Sequence, residues 1–184
     1  SVNYRRGTGY GFDFQNPPHA GPLGSQEYLD ILAAGKWLQE CGYADPGKIG
    51  LYGGSYGGTL TAMGLGRNSD VFKYGVDIHG RHNRELSRNI AYYPPDFELA
   101  AKIAWDSSPS KYVDSWTSPV LLIHGDDDQN VPFQQSIDLY NRLIGKGVEV
   151  EVLVIPDETH HWMVHRNLEK IKQALTEYLM NKAF

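Results

Sequence analysis

The sequence contains a serine flanked by glycines in a pattern that suits a nucleophile. Residues 53–58 read Gly-Gly-Ser-Tyr-Gly-Gly, so Gly53 and Gly57 each lie two positions from Ser55. Gly-x-Ser-x-Gly is typical of a sharp strand-to-helix turn that strains the serine backbone and exposes its hydroxyl, with side chains excluded at both glycines. The backbone N–H of Tyr56 is then free to stabilise an oxyanion. Ordinary glycine-rich turns show the same pattern, so its weight depends on the flanking elements.

An acid and a base follow Ser55 in the order that a serine hydrolase requires. A serine hydroxyl is a poor nucleophile without a general base, and that base needs a partner to orient it. Residues 126–128 are three consecutive aspartates, and residues 157–161 read Asp-Glu-Thr-His-His. The order Ser, acid, His is that of hydrolases built on a nucleophile elbow. We therefore expect one aspartate and one histidine from these segments to act with Ser55.

The acidic run also has other interpretations. Such a turn after a strand is most often simply solvated. The spacing of Asp126, Asp128 and Asn130 resembles the start of a calcium-binding loop. However, Val131 stands where that loop needs glycine, and Ile137 stands where it needs a bidentate glutamate. We therefore reject the calcium loop.

The histidines offer a second alternative. The acids at 126–128 together with His160 and His161 form a candidate metal site, although no ligand spacing supports it. We expect no metal and no cofactor. The other histidines lack a partner motif and are interpreted as structural or surface residues: His19, His79, His82, His124 and His165. Cys41 is interpreted as a packing residue.

The segments around these residues alternate between strand and helix patterns. Four segments have the apolar character of strands: 49–52, 74–79, 120–124 and 148–155. Three have helical spacing: about 25–41, with Ser25 as N-cap and Gly42 as its stop, 134–144 and 166–180. The connections comprise a long loop at 7–25, a turn at 45–48 and a helical excursion within 80–118. This alternation predicts an α/β fold whose mostly parallel sheet has helices on both faces.

The predicted strands place the chemistry at one edge of the sheet. Ser55 directly follows the strand at 49–52, the aspartates follow the strand at 120–124, and the histidines follow the strand at 148–155. The carboxyl ends of parallel strands meet at one edge, where open α/β sheets place their sites. The order and the location of the three groups therefore favour a nucleophile elbow over an ordinary turn.

Composition excludes several function classes. The 184 residues are enough for one domain, and 41% hydrophobic with 21% charged residues is ordinary for a globular protein. The net charge of −5 does not suit a nucleic-acid binder. No apolar run approaches the roughly 20 residues of a membrane-spanning helix. A single cysteine excludes an internal disulfide but leaves the compartment open.

Three segments resemble the prolyl oligopeptidase family, in its catalytic domain. They are residues 3–11 (Asn-Tyr-Arg-Arg-Gly-Thr-Gly-Tyr-Gly), 53–58 and 122–132 (Leu-Ile-His-Gly-Asp-Asp-Asp-Gln-Asn-Val-Pro). The resemblance covers essentially the whole chain. It implies an α/β-hydrolase fold and a serine peptidase that cleaves short peptides through an acyl-enzyme intermediate.

The resemblance also assigns individual residues. The family pattern His-Gly-x-x-Asp-x-x-Val gives the role of catalytic acid to Asp128, and the acidic stretch before it identifies His160 as the base. Tyr56 would line the pocket beside the nucleophile. In the dipeptidyl peptidase branch, the positions of Asn130 and Val131 correspond to a substrate carbonyl contact and a pocket wall.

The family also carries parts that these residues do not contain: an upstream β-propeller and a segment that supplies a second oxyanion donor. We therefore expect residues 1–184 to be the C-terminal part of an α/β-hydrolase catalytic domain, with N-terminal strands missing. The resemblance makes residues 1–5 the end of the fourth strand and 49–52 the fifth, with the absent third strand between them. We expect a gap there, or another segment that fills it, and feeble peptide hydrolysis by the isolated chain.

Two other functions stay open at the level of sequence. The same three groups cleave esters, so a carboxylesterase or lipase is one alternative. A catalytically silent fragment that retains the fold is the other. The sequence does not distinguish an exopeptidase from an endopeptidase. We expect any targeting signal to lie upstream of these residues, so the compartment, cytoplasmic or exported, stays open, as does self-association into a homo-oligomer.

Overall fold

The structure, a computed structural model, describes residues 1–86 and 94–183. One parallel sheet runs in chain order through β1 (Gly50–Gly54), β2 (Tyr74–Ile78), β3 (Val120–Gly125) and β4 (Val150–Ile155). The α-helices of the described residues are α1 (Phe12–Gln15), α2 (Tyr28–Glu40), α3 (Tyr56–Arg67), α4 (Phe97–Asp106), α5 (Gln134–Ile144) and α6 (His165–Ala183). Short 3₁₀ helices occupy Gly21–Leu23 and Pro109–Ser115. None of the helices in these two ranges is long and apolar enough to cross a membrane.

The side chains of β3 show how the sheet is covered. Every residue of this strand is buried, as expected of a central parallel strand. Val120 and Leu122 pack into a core that includes side chains of α2, α3 and α5. Leu121 and Ile123, which point to the opposite face, pack against Ile171 and other residues of α6. The prediction of helices on both faces is therefore confirmed.

The predicted strands and long helices are confirmed, with small shifts of their ends. The final helix is longer than predicted and runs from His165 to Ala183. The loop at 7–25 contains the short helix α1 and a 3₁₀ turn. The excursion within 80–118 contains α4 and the second 3₁₀ helix, while its residues 87–93 lie outside the described part. Gly42, which adopts a φ of 75°, suits the predicted end of α2.

The predicted N-cap at Ser25 is wrong. Helix α2 begins at Tyr28, and Ser25 is a buried residue with a φ of 52°. Its hydroxyl donates to the carbonyl of Gly21 at 2.9 Å and lies 3.3 Å from the carbonyl of Ser107. The side chain therefore ties the loop to a distant segment and leaves no oxygen directed at the first turn of the helix.

The outer edge of β1 borders an apolar cleft of about 510 Å³. Ser1, Val2 and Tyr4 line one side of the cleft, and residues of β1 and α2 line the other. Among the described residues, no strand pairs with this edge, and residues 1–5 do not form the predicted strand end. Without a neighbouring strand, residues 1–5 have no ladder to join. The gap that the sequence predicted is present.

Candidate active site

Ser55 lies between the end of β1 and the start of α3. Its φ of 55° and ψ of −116° form a strained backbone conformation, which costs a residue with a side chain roughly 1–3 kcal/mol. Its N–H donates to the carbonyl of Ile78 at 2.9 Å, which fastens the turn to β2. The predicted strand–serine–helix turn is therefore present, and the serine hydroxyl lies at the carboxyl end of the sheet.

The glycines around Ser55 are not equivalent. A Cβ on Gly53 would lie 2.5 Å from the carbonyl carbon of Gly57, and one on Gly58 would lie 2.9 Å from the Cα of Gly80. Because backbone atoms cannot give way easily, both positions need glycine. A Cβ on Gly57, however, would meet no atom of the described residues within 4 Å. The expectation that side chains are excluded at both flanking positions is therefore wrong for Gly57, which borders the open cleft beside β1.

His160 joins the serine to an aspartate. Its Nε2 lies 3.0 Å from the Oγ of Ser55, and its Nδ1 lies 2.6 Å from Oδ2 of Asp128. The other carboxylate oxygen of Asp128 accepts the N–H groups of Asn130 and Val131, each at 2.8 Å. Burial raises the pKa of Asp128, but these backbone N–H groups and His160 outweigh it, and the pKa falls below its usual value. These contacts therefore favour the ionised form of the buried carboxylate, which is hydrogen-bonded to the imidazole of His160.

The neighbouring acids and the second histidine have other contacts. Asp126 accepts the N–H of Asp157 at 2.7 Å, and Asp127 accepts the side-chain amide of Gln129 at 3.1 Å. Both carboxylates are exposed. His161 is also exposed, and only the edge of its ring approaches that of His160, at 5.5 Å between centroids. The structure thus brings Ser55, Asp128 and His160 together and leaves these three residues outside the group.

The other site residues that the sequence predicts are Tyr56, Asn130 and Val131, and it is mainly their backbone N–H groups that face the site. Tyr56 is the first residue of α3, so its N–H has no acceptor within the helix and suits an oxyanion. Its phenol donates to the buried carboxylate of Glu27, and burial followed by this negative charge raises the pKa of Tyr56. The backbones of Asn130 and Val131 hold Asp128. The side chain of Asn130 is exposed, and that of Val131 is buried.

Glu158, which the sequence did not single out, organises the segment that carries His160. Its fully buried carboxylate accepts the N–H groups of Thr159, Met163 and Val164 at 3.1, 2.8 and 3.2 Å. It also accepts the side-chain amide of Asn167 at 2.8 Å. The acidic stretch before His160 therefore contains a structural anchor. The sequence around Glu158 is polar and gives no sign that this side chain is buried. Only the tertiary structure reveals its burial.

His79 is the second residue whose place beside the site the sequence did not predict. It lacks a partner motif, so the sequence indicates only a structural or surface residue. Its buried ring stacks on that of His160. Ligand atoms of His79, Asp128 and His160 lie within 4.8 Å of one another, a spacing that a metal ion could use. However, the two imidazole planes are stacked at 26°, so their in-plane lone pairs run side by side and do not converge on one ion.

Comparisons with known proteins agree on one family. The sequence pattern of the prolyl oligopeptidase family matches residues 1–183. The chain is 31% identical over 191 residues to dipeptidyl aminopeptidase BIII of Pseudoxanthomonas mexicana, a match that covers 96% of this chain and 27% of that protein. It is 33% identical over 176 residues to the acylamino-acid-releasing enzyme of Arabidopsis thaliana, covering 86% of this chain and 23% of that protein.

Solved structures give the same result. The acylaminoacyl peptidase of Pyrococcus horikoshii superposes with a TM-score of 0.83 at 28% identity, over 98% of this chain and 31% of that one. A puromycin-hydrolysing peptidase of Mycobacterium tuberculosis gives a TM-score of 0.84 at 25% identity, over 99% of this chain and 29% of that one. The chain thus spans well under half the length of these relatives. It has the α/β-hydrolase fold and belongs to the prolyl oligopeptidase family, which is a family of serine peptidases.

Proposed function

We propose that the protein is a serine peptidase that hydrolyses short peptides, with Ser55 as nucleophile, His160 as general base and Asp128 as the group that orients the base. The observation that carries the proposal is the chain of two contacts through one imidazole, 3.0 Å to Ser55 and 2.6 Å to Asp128. In that orientation, Nδ1 of His160 keeps its proton on Asp128, and Nε2 is free to accept the proton of the serine hydroxyl.

The reaction has two halves, formation of an acyl-enzyme and its hydrolysis, and each half involves two proton transfers. As the Oγ of Ser55 attacks the peptide carbonyl carbon, its proton passes to Nε2 of His160. The N–H of Tyr56 stabilises the oxyanion, and His160 then donates the proton to the departing amine. The acyl group is left on Ser55 as an ester. Water, deprotonated by His160, attacks this ester and releases the carboxylic acid, and the proton returns to Ser55.

The proposed substrate class rests on the relatives. Two of them are named as a dipeptidyl aminopeptidase and an acylamino-acid-releasing enzyme, and both names describe removal of a short unit from a peptide. We extend to this protein only the class of short peptides.

The rest of the protein is also part of the proposal. We infer that residues 1–184 are the C-terminal part of a catalytic domain, and that further strands and a β-propeller precede them. Two observations support this: the match covers only 27% and 23% of the two curated relatives, and the outer edge of β1 borders an apolar cleft. A preceding strand that pairs with β1 would cover this edge, and the loop after it would supply a second oxyanion donor.

A fluorophosphonate probe tests the proposal directly in the complete protein. We expect stoichiometric labelling of Ser55 and none in Ser55→Ala, with kcat for a peptide lowered by about 10⁴–10⁶ in that variant. The urea midpoint should change little, because the substitution removes one partly buried hydroxyl and its contact with His160. Normal peptide turnover by Ser55→Ala would refute the assignment.

Paired substrates separate the proposed activity from an esterase. A peptide and an acyl ester with the same acyl group should both be cleaved, with kcat/KM for the peptide within the range of known peptidases. Hydrolysis of the ester alone would favour a carboxylesterase. Absence of both activities and of labelling would indicate a catalytically silent protein.

A further inference from the structure

His79 forms the centre of a three-ring stack on the base. Its ring centroid lies 4.1 Å from that of His160, with planes 26° apart. The ring of Trp162 also stacks on His79, with 4.9 Å between the ring centroids and planes 13° apart. His79, the ring that contacts the other two, is only 5% exposed and is therefore shielded from solvent. One face of the imidazole of His160 therefore rests on a flat, buried surface.

The backbone at both supporting rings is strained. His79 directly follows β2 and has a φ of 43°, and Trp162 has a φ of 49°. Left-handed conformations of bulky residues cost roughly 1–3 kcal/mol each and persist only where the surrounding structure fixes them. The N–H of His79 donates to the carbonyl of Ile123 at 2.8 Å, which anchors this position to β3. The rings are thus held in place by the sheet and by the segment after β4.

The central ring carries no charge at neutral pH. Burial, and then the nearby rings of His160 and His124, lower the pKa of His79 to about 4, although the carboxylates of Asp128 and Asp77 act in the opposite direction. Its Nδ1 is buried and has no hydrogen-bond partner among residues 1–86 and 94–183, and it lies 4.0 Å from the carboxylate of Asp128, too far for a hydrogen bond. A neutral ring does not oppose the positive charge that His160 gains when it takes the serine proton.

A flat support matters because hydrogen bonds alone define the plane of a histidine ring poorly. The second side-chain torsion of histidine connects sp³ and sp² carbons, so its minima are broad. Rotation about this bond would turn the plane of the ring, so that the lone pair of Nε2 no longer points at Ser55 and the N–H of Nδ1 no longer points at Asp128. Stacking limits that rotation, because tilting the ring of His160 would press it against His79.

We propose that His79 is a positioning residue, which holds the imidazole of His160 in the plane that directs Nε2 at Ser55 and Nδ1 at Asp128. This inference rests on the proposed function of Ser55, Asp128 and His160. It assigns His79 a role in the geometry of the base, with no proton transfer of its own.

The test compares His79→Ala with His79→Phe in the complete protein. His79→Ala removes the support and should lower kcat and the rate of fluorophosphonate labelling by about 10–100-fold, with KM nearly unchanged. His79→Phe restores a flat neutral ring and should return both rates to within about threefold of wild type. The proton NMR signal of Nδ1–H on His160, far downfield because of the contact with Asp128, should be sharp in wild type and His79→Phe and broadened in His79→Ala.

Trp162→Ala provides a second route if His79→Ala folds poorly. Trp162 is only partly buried and reaches His160 through His79, so its removal should cause a smaller loss of kcat. The double variant should be no worse than His79→Ala alone, because both changes remove one support. Thermal unfolding of each variant separates this effect from a general loss of stability.

Two results would overturn the inference. One is a labelling rate in His79→Ala equal to that of wild type. The other is an equally low rate in His79→Ala and His79→Phe, which would assign the role to the ring nitrogens. Either result leaves the proposed function intact as long as wild type is labelled at Ser55. If wild type is not labelled there, the proposed function itself fails.

Discussion

Gly125 packs so closely against Glu158 that a methyl group on its Cα would overlap the carbonyl oxygen of that residue. Gly125 is the last residue of β3, just before the segment that carries Asp128, and Glu158 lies two residues before His160. The N–H of Asp127 also donates to this carbonyl, at 3.2 Å. The separation between the carboxylate and the imidazole is therefore controlled by a contact between two backbones.

Gly125→Ala should push these two segments apart. We expect it to lower the free energy of unfolding by about 1–3 kcal/mol, the usual range for overpacking, and to reduce kcat by weakening the contact between Asp128 and His160. Urea unfolding and steady-state kinetics measure the two effects. Gly47→Ala is the matched control for stability, because the atom nearest to a Cβ there is a side-chain oxygen of Asp45, at 3.3 Å. Equal stability of wild type and Gly125→Ala would show that the close contact is absent.

Asp128→Asn should leave the fold intact and remove the negative charge that orients the imidazole. By analogy with other serine hydrolases, we expect kcat to fall by about 10⁴. Asp126→Asn and Asp127→Asn should change kcat by far less, because neither carboxylate contacts His160. A loss in either control as large as that of Asp128→Asn would contradict the assignment.

The two adjacent histidines should differ strongly. His160→Ala should abolish peptide hydrolysis and fluorophosphonate labelling, because the proposed general base is lost. His161→Ala should retain most of the activity, since this exposed ring contacts His160 only by its edge. Labelling rates of the two variants, measured side by side, decide between them. The reverse order would mean that His161 is the base.

Glu158 should make stability depend on pH in the acid range. Burial raises its pKa, but the hydrogen bonds from Asn167 and the backbone outweigh burial and hold the pKa below the usual value of 4.5. The unfolded chain therefore binds the proton more readily, and the stabilisation is complete above about pH 4.5 and is lost as the pH falls through the lower folded value. Urea unfolding between pH 3 and pH 7 measures this loss.

Glu158→Gln should remove part of that pH dependence and destabilise the protein at neutral pH. An amide has one acceptor oxygen where the carboxylate has two, so buried N–H groups lose their partner at a cost of about 1.5–3 kcal/mol. Glu151→Gln, an exposed change on β4, is the matched control and should do neither. An unchanged acid dependence in Glu158→Gln would show that another carboxyl group is responsible.

Much of the fold could be predicted because its signals are local. The alternation of apolar strands with helices is encoded in periods of two to four residues, and the glycines around Ser55 indicated the elbow directly. The order of Ser55, the acids and the histidines along the chain likewise indicated a serine hydrolase. Ser25 failed as an N-cap because its hydroxyl has a distant partner, Ser107, that local pattern does not show.

The choice among the three aspartates could not be made from residue types and spacing alone. The family resemblance favoured Asp128, and in the structure its side chain is buried and contacts His160, while those of Asp126 and Asp127 are exposed. Adjacent residues in a turn point in different directions, and only the packing of the two loops determines which direction leads to the base.

The sequence by itself determined the parallel α/β sheet, the elbow at Ser55 and the segments that supply an acid and a base. Only the tertiary structure decided which side chains meet, because Ser55 and His160 are 105 residues apart in the chain and come together across the edge of the sheet. The anchoring by Glu158 and the stack of His79 on His160 were hidden for the same reason. Burial and ring contact depend on long-range packing, and a polar residue or a lone histidine has no local pattern that predicts either.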